Sequence, residues 1–91
     1  MLTLLWSPKA LDELDNLTDY IGERNPSAAD RLTERIQGCA ERLTHFPYMH
    51  RSGRVPGTRE AVVHPNYVLV YRVTADAVEV LGVLHTRQQY P

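Results

Sequence analysis

The 91-residue sequence has one cysteine, one lysine and no long apolar run, and each shortage removes a class of protein. Cys39 alone cannot close an internal disulfide, which excludes a small secreted domain stapled by paired cysteines. Residues 1–6 are apolar only briefly before Ser7-Pro8, so no signal peptide is expected there. No stretch approaches the roughly 18 to 20 apolar residues that span a bilayer. There is no phosphate-cradling glycine loop, no cysteine pair for zinc, and no helix carrying two histidines four apart. His50, His64 and His85 follow no ligand spacing, so neither metal nor cofactor is expected. Ser7, Ser27 and Ser52 stand in cap or loop contexts, which gives a serine hydrolase no support. What remains is a protein of a reducing compartment, expected in the cytoplasm, with a single domain over residues 1–91.

Ten basic and eleven acidic residues leave a net charge of -1, and that average hides a division along the chain. Residues 1–45 sum to -3, whereas residues 46–91 carry five arginines and sum to +2. Three of the four histidines also fall in the second half. An acidic solvated part and a basic working part are the natural reading of such asymmetry.

The first half is written in helical period. Ser7 followed by Pro8 is a start signal, because the serine oxygen caps free amides and proline at the first helical position loses no hydrogen bond. Leu11, Leu14, Leu17 and Ile21 then recur at three- and four-residue spacing, predicting a helix over 8–23. Asn25-Pro26 repeats the signal, so the chain stops and restarts. The second stripe runs through Leu32, Ile36, Cys39, Ala40 and Leu43, with Arg31, Glu34, Arg35, Glu41 and Arg42 outward, until Pro47 ends it. So short a connection predicts an antiparallel helical hairpin.

After a loop holding Gly53, Pro56 and Gly57 the period changes to that of strands: 58–64, 67–74 and 77–84, with turns at His64-Pro65-Asn66 and Thr74-Ala75-Asp76. The middle run is apolar on both faces and should be the central strand. With residues 3–6 as a further strand, the layout is β-α-α-β-β-β: an α+β fold with a helical hairpin on one face of a largely antiparallel sheet. The other face stays open, and function is to be sought there.

Chemistry-bearing residues cluster in the second half: Arg54, Arg59, Glu60, His64, Tyr71, Arg72, His85, Arg87 and Tyr90. Cleavage of RNA by 2'-hydroxyl attack needs a base, an acid and cations for the developing phosphate charge. Glu60 or His64, His85 or Tyr90, and Arg59 or Arg87 formally supply them. Strand alternation nevertheless sends Arg59 and Glu60 to opposite faces. Arg72 has two readings, a cross-strand pair with Glu79 or a ligand contact. Tyr67 and Tyr71 share a face with Leu69 and Val73, which favours core packing over base stacking. Arg54 and Arg87 have the least structural reason for their positions and are the first candidates for contacting a partner.

The order Trp6-Ser7-Pro8-Lys9-Ala10, Asp15, Tyr20-Ile21, Asn25-Pro26, Ala28-Ala29 resembles the RelE/ParE superfamily of type II toxins. Gly53-Arg54, Gly57-Thr58-Arg59-Glu60, Tyr67 through Val73 and Val83-Leu84-His85-Thr86-Arg87 are similar to the loop, central strand and last strand of its ParE branch. The resemblance spans essentially the whole chain. It implies the fold just described, no catalytic residue, and a cognate antitoxin that folds on binding and neutralises the toxin, with higher-order complexes. It further implies growth arrest and plasmid stabilisation through a DNA gyrase subunit, without sequence-specific DNA binding by this chain. The alternative within the superfamily is a RelE-like ribosome-dependent mRNA interferase, an endoribonuclease. Lys9 is the sole lysine where nuclease members are lysine-rich, and His64-Pro65-Asn66 stands where they carry an arginine before the central tyrosine. Arg87 and Tyr90 do resemble the nuclease carboxyl end. Extended binding to RNA calls for substantial positive charge, so a net -1 chain suits a protein target better, where Arg and Tyr act as anchors. The expected target-contact set is Arg54, Arg59, Arg72 and Arg87, with Glu60, His85 and Tyr90.

Overall fold

The computed structural model describes residues 1–87. Strand β1 (Thr3–Trp6) leads into helix α1 (Pro8–Gly22) and helix α2 (Pro26–Leu43), followed by strands β2 (Arg51–Ser52), β3 (Arg59–His64), β4 (Tyr67–Val73) and β5 (Ala77–His85). Both helices begin as their caps dictate. Ser7 Oγ accepts from the Ala10 amide at 3.1 Å, and Asn25 Oδ1 accepts from the Ala28 amide at 3.1 Å, each just ahead of a proline that opens the helix. One side-chain acceptor thereby satisfies one of the four orphan amides at each helix start. Helix α2 ends at Leu43, four residues short of Pro47. Leu43 is the last apolar residue of the stripe, and Thr44 turns its hydroxyl onto the Glu41 carbonyl at 2.6 Å.

The five strands lie in the order β1-β5-β4-β3-β2, with β4 at the centre as its two-sided apolar pattern predicts. All neighbours are antiparallel except β1 and β5, which run parallel from Thr3 opposite Ala77 to Trp6 opposite Val80. Two-residue β2 is an addition to the expected layout. It is too short and too charged to show a period.

Helices α1 and α2 cover one face. Leu14, Leu32, Ile36 and Leu43 meet Leu69, Tyr71, Val78 and Val80 in one core, and Ile36, Leu43, Leu69, Tyr71, Val78 and Val80 have no measurable exposure. Cys39 is buried in that core, and burial raises its thiol pKa above the ordinary value. Trp6 and Leu4 pack against the same cluster and tie β1 beneath α2. No helix among the described residues is long and apolar enough to cross a membrane.

Candidate functional site

Register assigns each predicted site residue to a face. Glu60 lies opposite Val70 and beside Arg51, and Arg72 lies opposite Glu79, so these four point away from the helices. Val68, Val70 and Leu84 form a small apolar cluster at the centre of that open face. Two ion pairs flank it. Arg72 Nη2 is 2.6 Å and Nε 2.7 Å from Glu79 Oε1, while Arg51 Nη2 is 3.0 Å and Nε 3.1 Å from Glu60 Oε1. Glu60 is buried, and its second oxygen has no hydrogen-bond partner among the described residues. Arg72 is thus held by the cross-strand acid, the first of its two readings.

Arg59 turns to the other side. Opposite Tyr71 at the helix-covered end of the sheet, it reaches under the loop that joins α2 to β2. Its Nη1 donates to the His50 carbonyl at 2.8 Å and to the Tyr48 carbonyl at 3.4 Å, and the guanidinium lies 5.0 Å from the centre of the Tyr48 ring. Tyr71 completes the support. Its buried hydroxyl donates to the Pro47 carbonyl at 2.7 Å, and burial raises its pKa. The His50 ring stands edge-on to Tyr71 at 6.3 Å, and desolvation, then the charge of Arg42, lowers its pKa.

Held from within, this loop turns its apolar side chains outward. Phe46, Tyr48 and Met49 are 60%, 67% and 64% exposed. Large apolar groups carried into solvent on a braced backbone form a contact surface, because little loop freedom remains to be lost on docking. The next turn adds Arg54, exposed on the loop that Gly53 and Thr58 close through a 2.8 Å backbone hydrogen bond. The ridge of Phe46, Tyr48 and Met49 was absent from the expected set. Its signal in sequence is three bulky residues around a proline, outside any helical or strand period.

His85 and Arg87 occupy the opposite end of β4. His85 pairs in register with Tyr67 and meets its ring edge-on at 5.4 Å, while His64 lies against the same ring at 5.5 Å. Arg87 is exposed and donates its backbone amide to His85 Nδ1 at 3.1 Å. Tyr90 lies outside the described residues. From Tyr67 to Tyr71 is four strand residues, about 13 Å at 3.3 Å each. The expected set therefore divides: Arg54 and Arg59 at one end, His85 and Arg87 at the other, and Glu60 with Arg72 on the opposite face. Of the candidate acid-base and cationic groups, His64, His85 and Arg87 lie together at the Tyr67 end, whereas Glu60 and Arg59 stand apart from them and from each other. No three His, Cys, Asp or Glu side chains gather among the described residues as a metal site requires.

Residues 4–90 match the family model described as the ParE toxin of the type II toxin-antitoxin system, parDE. The putative toxin Y4kP of Sinorhizobium fredii is 39% identical over 87 residues, covering 94% of this chain and 90% of that one. Toxin RelE2 of Caulobacter vibrioides is 34% identical over 85 residues, covering 93% and 96%. Among solved structures, the chromosomal ParDE toxin-antitoxin system from P. aeruginosa superposes with a TM-score of 0.82 at 22% identity, covering 93% of this chain and 96% of that chain. A YoeB/ParE toxin from Agrobacterium tumefaciens gives 0.68 at 18% identity, covering 98% and 100%, so the fold is shared where little sequence is.

Proposed function

The chain belongs to the ParE toxin family of type II toxin-antitoxin systems, and from that premise we propose that it arrests growth by docking on a protein target, with DNA gyrase the first candidate, until a cognate antitoxin neutralises it. One observation carries this reading: the ridge of Phe46, Tyr48 and Met49, braced from beneath by Arg59 and Tyr71 and followed by exposed Arg54. Exposed aromatic and arginine side chains on a rigid support are what a protein interface uses as anchors. A ribonuclease instead needs its base, acid and cation within reach of one phosphate; His64, His85 and Arg87 share one end of the sheet, but Glu60, Arg54 and Arg59 lie away from them. The toxin works in the cytoplasm in this reading. Its antitoxin orders on contact, with the affinity cost that ordering brings.

Purified toxin is expected to inhibit supercoiling by gyrase, or to accumulate cleaved DNA, while leaving ribosome-bound mRNA intact. The double variant Tyr48→Ala, Met49→Ala is expected to lose growth arrest while unfolding at the wild-type denaturant concentration. Cutting of mRNA on the ribosome with gyrase untouched would transfer the chain to the RelE-like interferases.

A further inference from the structure

A concave surface lies away from the ridge. Between the helical hairpin and the β3–β4 turn runs a groove of about 370 Å³, to which α1 contributes Ile21, α2 contributes Ala28, Arg31, Leu32 and Arg35, and the turn contributes His64, Asn66 and Tyr67. Its volume falls in the range of about 300 to 1,000 Å³ typical of ligand pockets. Leu32 is buried at its base, Ile21 and Ala28 are half-buried, and both arginines are exposed.

Two neighbouring arginines give this groove its charge. Arg24 is stacked on Tyr20, Arg51 and Arg72 are paired with acids, and Arg59 is bonded to backbone. Arg31 and Arg35 have no ion pair or hydrogen bond among the described residues, and no acidic side chain lines the groove. One helical turn separates them, which sets their Cβ atoms about 6 Å apart. His64 adds a donor. Its Nδ1 accepts from the Asn66 amide at 3.0 Å, so the neutral ring carries its proton on Nε2.

The geometry points to this groove as the seat of an acidic segment of the antitoxin, two carboxylates lying over Arg31 and Arg35 while an aliphatic side chain settles on Leu32. The inference rests on the antitoxin reading above and locates part of that contact. Two cations one turn apart match two acids on one face of a partner helix, and the Ile21, Ala28 and Leu32 base takes the apolar stripe such a helix carries. A polynucleotide would need exposed aromatic faces for its bases. The one phenol ring here, Tyr67, is already flanked by His64 and His85.

The test is titration of the full-length toxin with its cognate antitoxin, comparing wild type with Arg31→Glu, Arg35→Glu and their double variant, and with Lys9→Glu as a charge control. Circular dichroism melts verify that each variant folds. Reversing both groove charges is expected to weaken antitoxin binding about 100-fold, whereas Lys9→Glu leaves it within about threefold. An acid-to-arginine change in the antitoxin is expected to restore binding to the double variant. Wild-type affinity in a folded double variant would overturn the groove assignment and leave the antitoxin reading standing. Failure of wild-type toxin to bind the antitoxin would remove that reading itself. Loss of binding to a single-stranded RNA oligonucleotide, with antitoxin affinity unchanged, would assign the groove to nucleic acid.

Discussion

The hydroxyl of Tyr71, in the middle of the sheet, donates to the carbonyl of Pro47, 24 residues away in the loop that follows α2. The strand interior thereby sets the height of the exposed ridge. Tyr71→Phe removes this bond without changing the ring, and should cost about 1 kcal/mol in urea denaturation, with faster amide exchange in residues 48–50. The sign of the pH effect follows from burial, which raises the Tyr71 pKa above its ordinary 10.0. The unfolded chain releases the phenol proton first, so this contribution is complete below pH 10.0 and is lost as pH rises towards the folded value. Wild type should therefore lose more stability than Tyr71→Phe on entering the alkaline range.

The two ion pairs of the open face should respond differently to deletion. Glu60 has a side chain only 7% exposed, against 27% for Glu79. Arg51→Ala strands a desolvated carboxylate whose other oxygen already lacks a partner, and should cost about 1–3 kcal/mol. Arg72→Ala leaves Glu79 in reach of water and should cost about 0.2–1 kcal/mol. Paired denaturation curves decide; an equal or reversed ranking would contradict the burial difference.

Much of this architecture is legible in the residues. Ser7-Pro8 and Asn25-Pro26 announce both helices, and the two-sided apolar run from Tyr67 to Val73 identifies the central strand. Strand β2 is not legible, because Arg51 and Ser52 have neither length nor hydrophobic pattern. The role of Arg59 is hidden for another reason: its partners are backbone carbonyls, and carbonyls at His50 and Tyr48 leave no mark on residue identity. Arg31 and Arg35 read as solvated helix positions until the β3–β4 turn is brought alongside them. Periodicity reports which side of an element is apolar, but not which neighbour arrives opposite its polar side.

Gly53 should be intolerant of a side chain. A Cβ there would fall on Thr58 Oγ1 and within 3.2 Å of the Thr58 Cβ and carbonyl carbon. Thr58 cannot yield easily, since its hydroxyl is held by the Val55 carbonyl at 2.6 Å. Gly53→Ala should lower stability by about 1–3 kcal/mol, whereas Gly57→Ala, at a φ of +85° with open space around it, pays only the left-handed backbone cost of about 1–2 kcal/mol. Thermal melts of the two variants, with backbone shifts mapped by NMR, should place the larger disturbance around Thr58 in the first.

Cys39 provides a chemical reading of the core. Its thiol is buried, and burial raises its pKa, so both access and thiolate fraction are low. Alkylation by iodoacetamide at neutral pH should be slow in native protein and accelerate sharply at the denaturant concentration where the fold is lost. Rapid labelling of native protein would show that the helix–sheet interface opens locally.

Strand β1 pairs with β5 across more than seventy residues of chain, Thr3 lying opposite Ala77 and Trp6 opposite Val80. During synthesis the first strand emerges from the ribosome without its neighbour and must wait until β5 has been translated. The helical hairpin can form early, but its sheet cannot be closed at the β1 edge by any nascent chain that stops short of β5. The sheet of such a toxin closes at this edge only once β5 has been made, and until then the apolar residues Leu4 and Trp6 remain open to whatever captures an unfinished chain.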